Sequence, residues 1–228
     1  MTPLVSRRSA DVVIVGDSLT VGEHASERHR GYAPLVVDSL RAAVASTPLS
    51  VRVIGVSGSR VGDFARRALP SGKRLVVLEL GTNDWLGYRR DAPWEVTPLA
   101  EFRSDYGRLL DRLLGRLEPA LVCLGVWGPE GGRGGAVAGP GGGPGVRTEE
   151  FDRVIRAECS SRGGEFVPLA ALRADPTTCG PAGRWTPFGI SDEGHPNDRG
   201  HALIAAALLA ACSATVRRGR PGAGAPRA

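Results

Sequence analysis

Hydrophobic positions along the chain fall into two alternating patterns. Short, mostly continuous apolar runs occupy 12–15, 51–56, 75–80, 121–126 and 165–167. Runs of that length, rich in valine, isoleucine and leucine, suit strands covered on both faces. Between them, 34–45, 102–117, 149–161 and 198–212 carry apolar residues at helical spacing. Pro34 sits in the first turn of one such pattern, and Leu109, Leu110, Leu113, Leu114 and Leu117 form the stripe of the next. Strand and helix alternating in this way predict an α/β fold with a five-stranded, mostly parallel sheet and right-handed crossovers. Ligand crevices of such sheets open at the carboxyl ends of the strands, and Ser18, Gly58 and Asn83 each fall just past a run.

The 228 residues are enough for one domain with a full core, expected over 11–212, after an N-terminal extension at 1–10. Within it, the segment 128–147 is half glycine, with prolines, and reads as a flexible loop on the same edge as the crevice. A lid over substrate and a tolerated insertion both fit it. The formal charge of +5 is concentrated at one end: Arg217, Arg218, Arg220 and Arg227 lie in an expected disordered tail at 213–228 that has no acidic residue. Without them the body carries roughly +1, so a nucleic-acid partner is not expected.

Cys123, Cys159, Cys179 and Cys212 show no metal-type spacing and are expected to be reduced, with a Cys159–Cys179 bridge as the alternative for an exported protein. Ser6-Arg7-Arg8 resembles the start of an export signal, but the apolar run behind it is short and contains Ser18. No segment approaches the length of a membrane span, so a soluble, cytoplasmic protein is expected. Arginine in place of lysine suggests a GC-rich bacterial genome.

Ser18 ends the first run in Gly16-Asp17-Ser18-Leu19. A serine hydroxyl needs a base to become nucleophilic. Of the four histidines, His195 has a carboxylate three residues before it, Asp192, placed to hold the imidazole; Glu193 and Asp198 compete for that role. His201, on the last helical pattern, reads as a packed residue. His24 and His29 lack the companions of a metal site. Gly58 lets backbone approach a substrate, with Gly55 as a competitor, and Asn83 supplies an amide or caps a helix. Asp17 and Asp84 read as structural. Trp85 and Trp127 are placed to wall a substrate or to close the core, as are Tyr88, Trp94 and Trp185.

Ser18 in Gly-Asp-Ser-Leu, Gly58 in Ser-Gly-Ser, Asn83 in Gly-Thr-Asn-Asp and His195 in Asp-x-x-His occur in one order over 11–212, and this constellation resembles the SGNH, or GDSL-type, hydrolases. The resemblance implies a three-layer α/β/α, flavodoxin-like fold and an esterase in which Ser18 attacks an acyl ester and His195 moves the proton. Asp192 then orients His195, and Ser18, Gly58 and Asn83 hold the oxyanion. No cofactor or metal is implied. An acyltransferase would use the same residues, and a catalytically silent binding module would keep the fold alone. The acyl chain, the alcohol and the oligomeric state are open at this level.

Overall fold

The computed structural model describes residues 9–44, 47–65, 67–88, 95–128, 147–180 and 194–218, with side chains to residue 213. Five parallel strands form one sheet: β1 (Ala10–Gly16), β2 (Val51–Gly55), β3 (Gly72–Glu79), β4 (Ala120–Leu124) and β5 (Glu165–Val167). Their spatial order is β2-β1-β3-β4-β5.

Side chains of successive strand residues point to opposite faces, and each face has its own helices. Val13, Val15, Val76 and Leu78 pack with Phe102, Tyr106, Leu110, Phe151 and Ile155. Those partners come from α5 (Leu99–Leu114) and α6 (Thr148–Ser160), beside the short α3 (Val61–Ala65). Val12, Ile14, Val77, Val122 and Leu124 face the other way, onto Tyr32, Val36, Ile204 and Leu208. Those come from α2 (Tyr32–Ala43) and α8 (Asp198–Arg218). The result is a three-layer α/β/α sandwich.

The expected strands and long helices are present, with shifted ends. β2 is not covered on both faces: it is the sheet edge, and Val53 is 43% exposed. α8 runs to Arg218, past the apolar pattern that ends at Cys212. Three short helices, α1 (Ser18–Val21), α4 (Thr82–Leu86) and α7 (Ala170–Ala174), are too brief to show a period of 3.6. All four cysteines are free thiols. No helix among the described residues is long and apolar enough to cross a membrane.

The chain passes from β1 outward to β2 and then back across to β3, so the winding reverses between β1 and β3. Such a reversal leaves a crevice outside the carboxyl ends of the two strands. α1 follows β1 and α4 follows β3 at that crevice.

Candidate active site

Ser18 opens α1 because Asp17 caps it: Asp17 Oδ1 accepts the Leu19 N–H at 3.0 Å. As the first residue of the helix, Ser18 has an N–H with no acceptor inside it. Gly22 closes the turn with φ of 84°, donating its N–H to Ser18 O and Leu19 O. Glu23 N–H returns to Ser18 O at 3.0 Å. His24 then takes a left-handed φ of 67°, uncommon for a residue with a side chain. That turn brings its ring parallel to His195, with centroids 4.9 Å apart and planes within 8°.

His195 arrives from 177 residues away and sets Nε2 2.9 Å from Ser18 Oγ. Its neighbours are held through backbone. Trp127 Nε1 donates to Gly194 O at 2.7 Å, Gly180 N donates to His195 O at 3.3 Å, and Pro196 bridges to Cys179. Asn197 adds side-chain bonds to Thr177 O and Cys179 O. Glu23 also reaches the histidine: its Oε2 lies 3.5 Å from Nε2, while its Oε1 accepts the Ser57 hydroxyl.

Gly58 lies beyond β2 with φ of 72°, and a Cβ there would stand 2.6 Å from Tyr88 Cε1. Both the backbone conformation and the ring exclude a side chain. Asn83, in the first turn of α4, spends both amide hydrogens: Nδ2 donates to Asp17 Oδ2 at 2.9 Å and to Ser59 O at 3.1 Å. In this state it ties the serine turn to the glycine turn. Asp84 is structural: Oδ2 accepts Val61 N–H at 3.0 Å, Oδ1 accepts Thr97 Oγ1 at 2.8 Å, and burial pushes its carboxyl up to about 6.

Behind the serine turn lies a carboxyl pair that the sequence pattern did not reveal. Glu79, the last residue of β3, is paired in register with Gly16 and is fully buried. Its Oε2 accepts Asp17 N–H at 3.2 Å and Thr20 Oγ1 at 3.0 Å, and the Tyr32 hydroxyl completes the chain to Thr20 at 2.6 Å. Oε1 has no donor aimed at it. Burial, and then the charge of Asp17, hold Glu79 well above its ordinary value, while burial raises Asp17. Gly16 provides the space: a Cβ there would lie 2.5 Å from Glu79 Oε2 and 2.6 Å from Glu79 O.

The structure thus brings Ser18, His195, Asp17, Asn83 and the Gly58 turn to one crevice. Trp85 and Trp127 are only 5% and 4% exposed: Trp85 packs against Gly128 within the α5/α6 face, and Trp127 lies in the α2/α8 face. His201 is fully buried, accepting Tyr32 N–H at Nδ1 (3.3 Å) and donating from Nε2 to Glu23 O (3.0 Å). Burial lowers its pKa to about 4, consistent with a neutral ring that accepts at one nitrogen and donates at the other. Asp192, Glu193, Trp94, Trp185 and most of 128–147 lie outside the described residues. Among the described residues, no group of three or more His, Cys, Asp or Glu could hold a metal ion. Glu23, His24 and Glu79 are the additions; their contacts link segments 34 to 172 residues apart, beyond what local patterning carries.

No curated protein matches the sequence as a relative. Among solved structures, a catalytic mutant of Axe2, an acetylxylan esterase from Geobacillus stearothermophilus, is similar at a TM-score of 0.62 and 20% identity. That match covers 89% of this chain and 94% of the other. A carbohydrate esterase family 2 enzyme with a carbohydrate-binding domain, from Corynascus thermopiles (Myceliophthora fergusii), has a TM-score of 0.59 and 16% identity over 95% of this chain and 69% of its own. A two-domain esterase, CEX, active on acetylated mannans, has a TM-score of 0.59 and 17% identity over 96% of this chain, which spans only 54% of that protein. At these identities the likeness is one of fold. The profile of the GDSL-like lipase/acylhydrolase family matches residues 14–203, from β1 to beyond His195, and the chain belongs to this family of ester-hydrolysing enzymes.

Proposed function

We propose that this protein removes a small acyl group from an O-acylated, carbohydrate-like alcohol by a serine mechanism. The observation that carries the reading is the 2.9 Å contact between Ser18 Oγ and His195 Nε2 at the mouth of the β1/β3 crevice. Ser18 Oγ adds to the ester carbonyl as its proton passes to Nε2. Nε2 then gives that proton to the departing alcohol oxygen, leaving Ser18 acylated. Water repeats the sequence and releases the acid. Asp192 is assigned to orient His195. The N–H groups of Ser18 and Gly58 are aimed at the developing oxyanion, and Asn83 joins them by exchanging its longer bond, to Ser59 O, for the substrate oxygen. The carbohydrate part of the proposal is supported by the fold neighbours, two of which are described as esterases of acetylated polysaccharides.

The test is hydrolysis of a p-nitrophenyl ester series, acetyl to long acyl, by wild type and Ser18→Ala, with fluorophosphonate labelling of both. Wild type should turn over the acetyl ester fastest and label, and Ser18→Ala should do neither. Full hydrolysis by the variant would refute the mechanism. Acyl groups found on an added sugar in preference to water would redirect the reading to transfer.

A further inference from the structure

We infer that Glu23 selects the alcohol half of the substrate by accepting a hydroxyl that flanks the scissile ester oxygen. The inference rests on the serine-esterase reading above and adds to it a determinant on the leaving-group side.

Position comes first. In acyl transfer, the imidazole nitrogen that takes the serine proton must hand it to the leaving oxygen, so that oxygen lies within hydrogen-bond reach of Nε2. Glu23 Oε2 stands 3.5 Å from the same nitrogen. It therefore borders the departing alcohol, and a hydroxyl on the carbon next to the one bearing the ester oxygen can bridge to it.

The carboxylate is also fixed before any substrate arrives. The Ser57 hydroxyl occupies Oε1. The Glu23 N–H is bound to Ser18 O, and its carbonyl receives the Nε2–H of buried His201. Substrate thus meets an ordered acceptor and bears little of the cost of arranging it. Among the described residues, the polar partners of the side chain are Ser57 and His195. A carboxylate oxygen accepts two donors, which leaves Oε2 capacity for one more. The side chain is 12% exposed, so little water competes, and a hydroxyl donating here makes a charge-assisted bond. An alkyl group in the same place makes none.

A carboxylate just past a helix-ending glycine would ordinarily be a solvated surface charge. The contacts to Ser57 and His195 rule that out for Glu23, since they tie it to the turn bearing Gly58 and to the base itself.

The experiment compares kcat/KM for 2-hydroxyethyl acetate and propyl acetate, which differ at one terminal group, in wild type, Glu23→Gln and Glu23→Ala. Each ratio is divided by that for alkaline hydrolysis of the same pair, which removes intrinsic reactivity. Wild type should favour the hydroxy ester about tenfold, as expected for one charge-assisted hydrogen bond. The preference should fall in Glu23→Gln, whose amide oxygen still accepts but is uncharged, and approach one in Glu23→Ala. Because each ratio is taken within one enzyme, a general loss of activity cancels, and should Glu23→Ala not fold, wild type and Glu23→Gln decide. A wild-type ratio near one, or a ratio unchanged by substitution, overturns the inference while leaving the esterase reading intact. Failure of wild type to cleave any ester, p-nitrophenyl acetate included, without fluorophosphonate labelling, overturns both.

Discussion

Replacing Glu79 by glutamine should stabilise the protein at neutral pH, by an amount that linkage fixes. In the fold Glu79 is fully buried, and burial followed by the Asp17 charge holds its pKa well above 4.5. In the unfolded chain it ionises near that ordinary value. A carboxyl whose folded pKa is raised contributes its full stability below the unfolded value, and that contribution is lost as pH rises toward the folded one. At pH 7, two and a half units above 4.5, returning the proton on folding costs about 1.4 kcal/mol per unit, up to about 3.5 kcal/mol in all.

Glutamine carries no such cost. Its carbonyl can accept from Asp17 N and Thr20 as Glu79 Oε2 does. Any misfit of the amide hydrogens adds an offset that does not vary with pH. Asp17, raised by burial, faces a neutral partner in both proteins, so its own titration cancels in the difference. Urea unfolding of wild type and Glu79→Gln at pH 5, 6 and 7 should therefore show the advantage of the variant growing by up to about 2.5 kcal/mol across the series. A difference that stays flat with pH would refute the raised pKa of Glu79.

Gly58→Ala should lower kcat for ester hydrolysis about a hundredfold with little change in KM, because φ of 72° and the Tyr88 ring force the turn to shift and swing the Gly58 N–H away from the oxyanion; steady-state kinetics on p-nitrophenyl acetate measure it, and unchanged kcat would remove Gly58 from the oxyanion site. Trp127→Phe keeps most of the ring packing but deletes the bond to Gly194 O. It should cost about 1–2 kcal/mol in urea unfolding and several-fold in kcat, whereas loss of stability with full kcat would make Trp127 core filling alone.

The fold was legible because its inner strands are buried on both faces and so write continuous apolar runs, and because α5 and α6 have single apolar stripes. β2 misled for the same reason: Val51, Val53 and Ile54 read as buried, yet β2 is the sheet edge and Val53 is left partly exposed. Ser18, Gly58 and Asn83 were legible because each follows the end of a run. Glu79 was not, since a glutamate at the end of an apolar strand reads as the point where the strand meets solvent. Its burial is decided by Gly16, on the strand paired with it, and Thr20, in the helix that follows, 63 and 59 residues away in sequence. His24 shows a second failure. Its spacing to His29 invited a comparison with metal ligands, but His29 stands at the surface 3.3 Å from Glu27, while His24 lies on the ring of His195.

The two halves of the site are held by different parts of the structure, and this bears on how activity responds to heat. Ser18 is anchored through Asp17, Thr20 and Glu79 to the two central strands, so displacing it requires breaking the core. Among the described residues, the contacts that hold His195 include the Trp127–Gly194 bond, those of 178–180 with 195–197, and its ring contacts with Ser18, Glu23 and His24. Opening the second set leaves the strands and both helical layers packed. Local opening of this kind has a smaller free energy than global unfolding. Ester hydrolysis should therefore be lost, reversibly, several degrees below the transition seen by far-ultraviolet circular dichroism, and Trp127→Phe should widen that gap. Coincidence of the two transitions in both proteins would mean that the histidine segment unfolds only with the sheet.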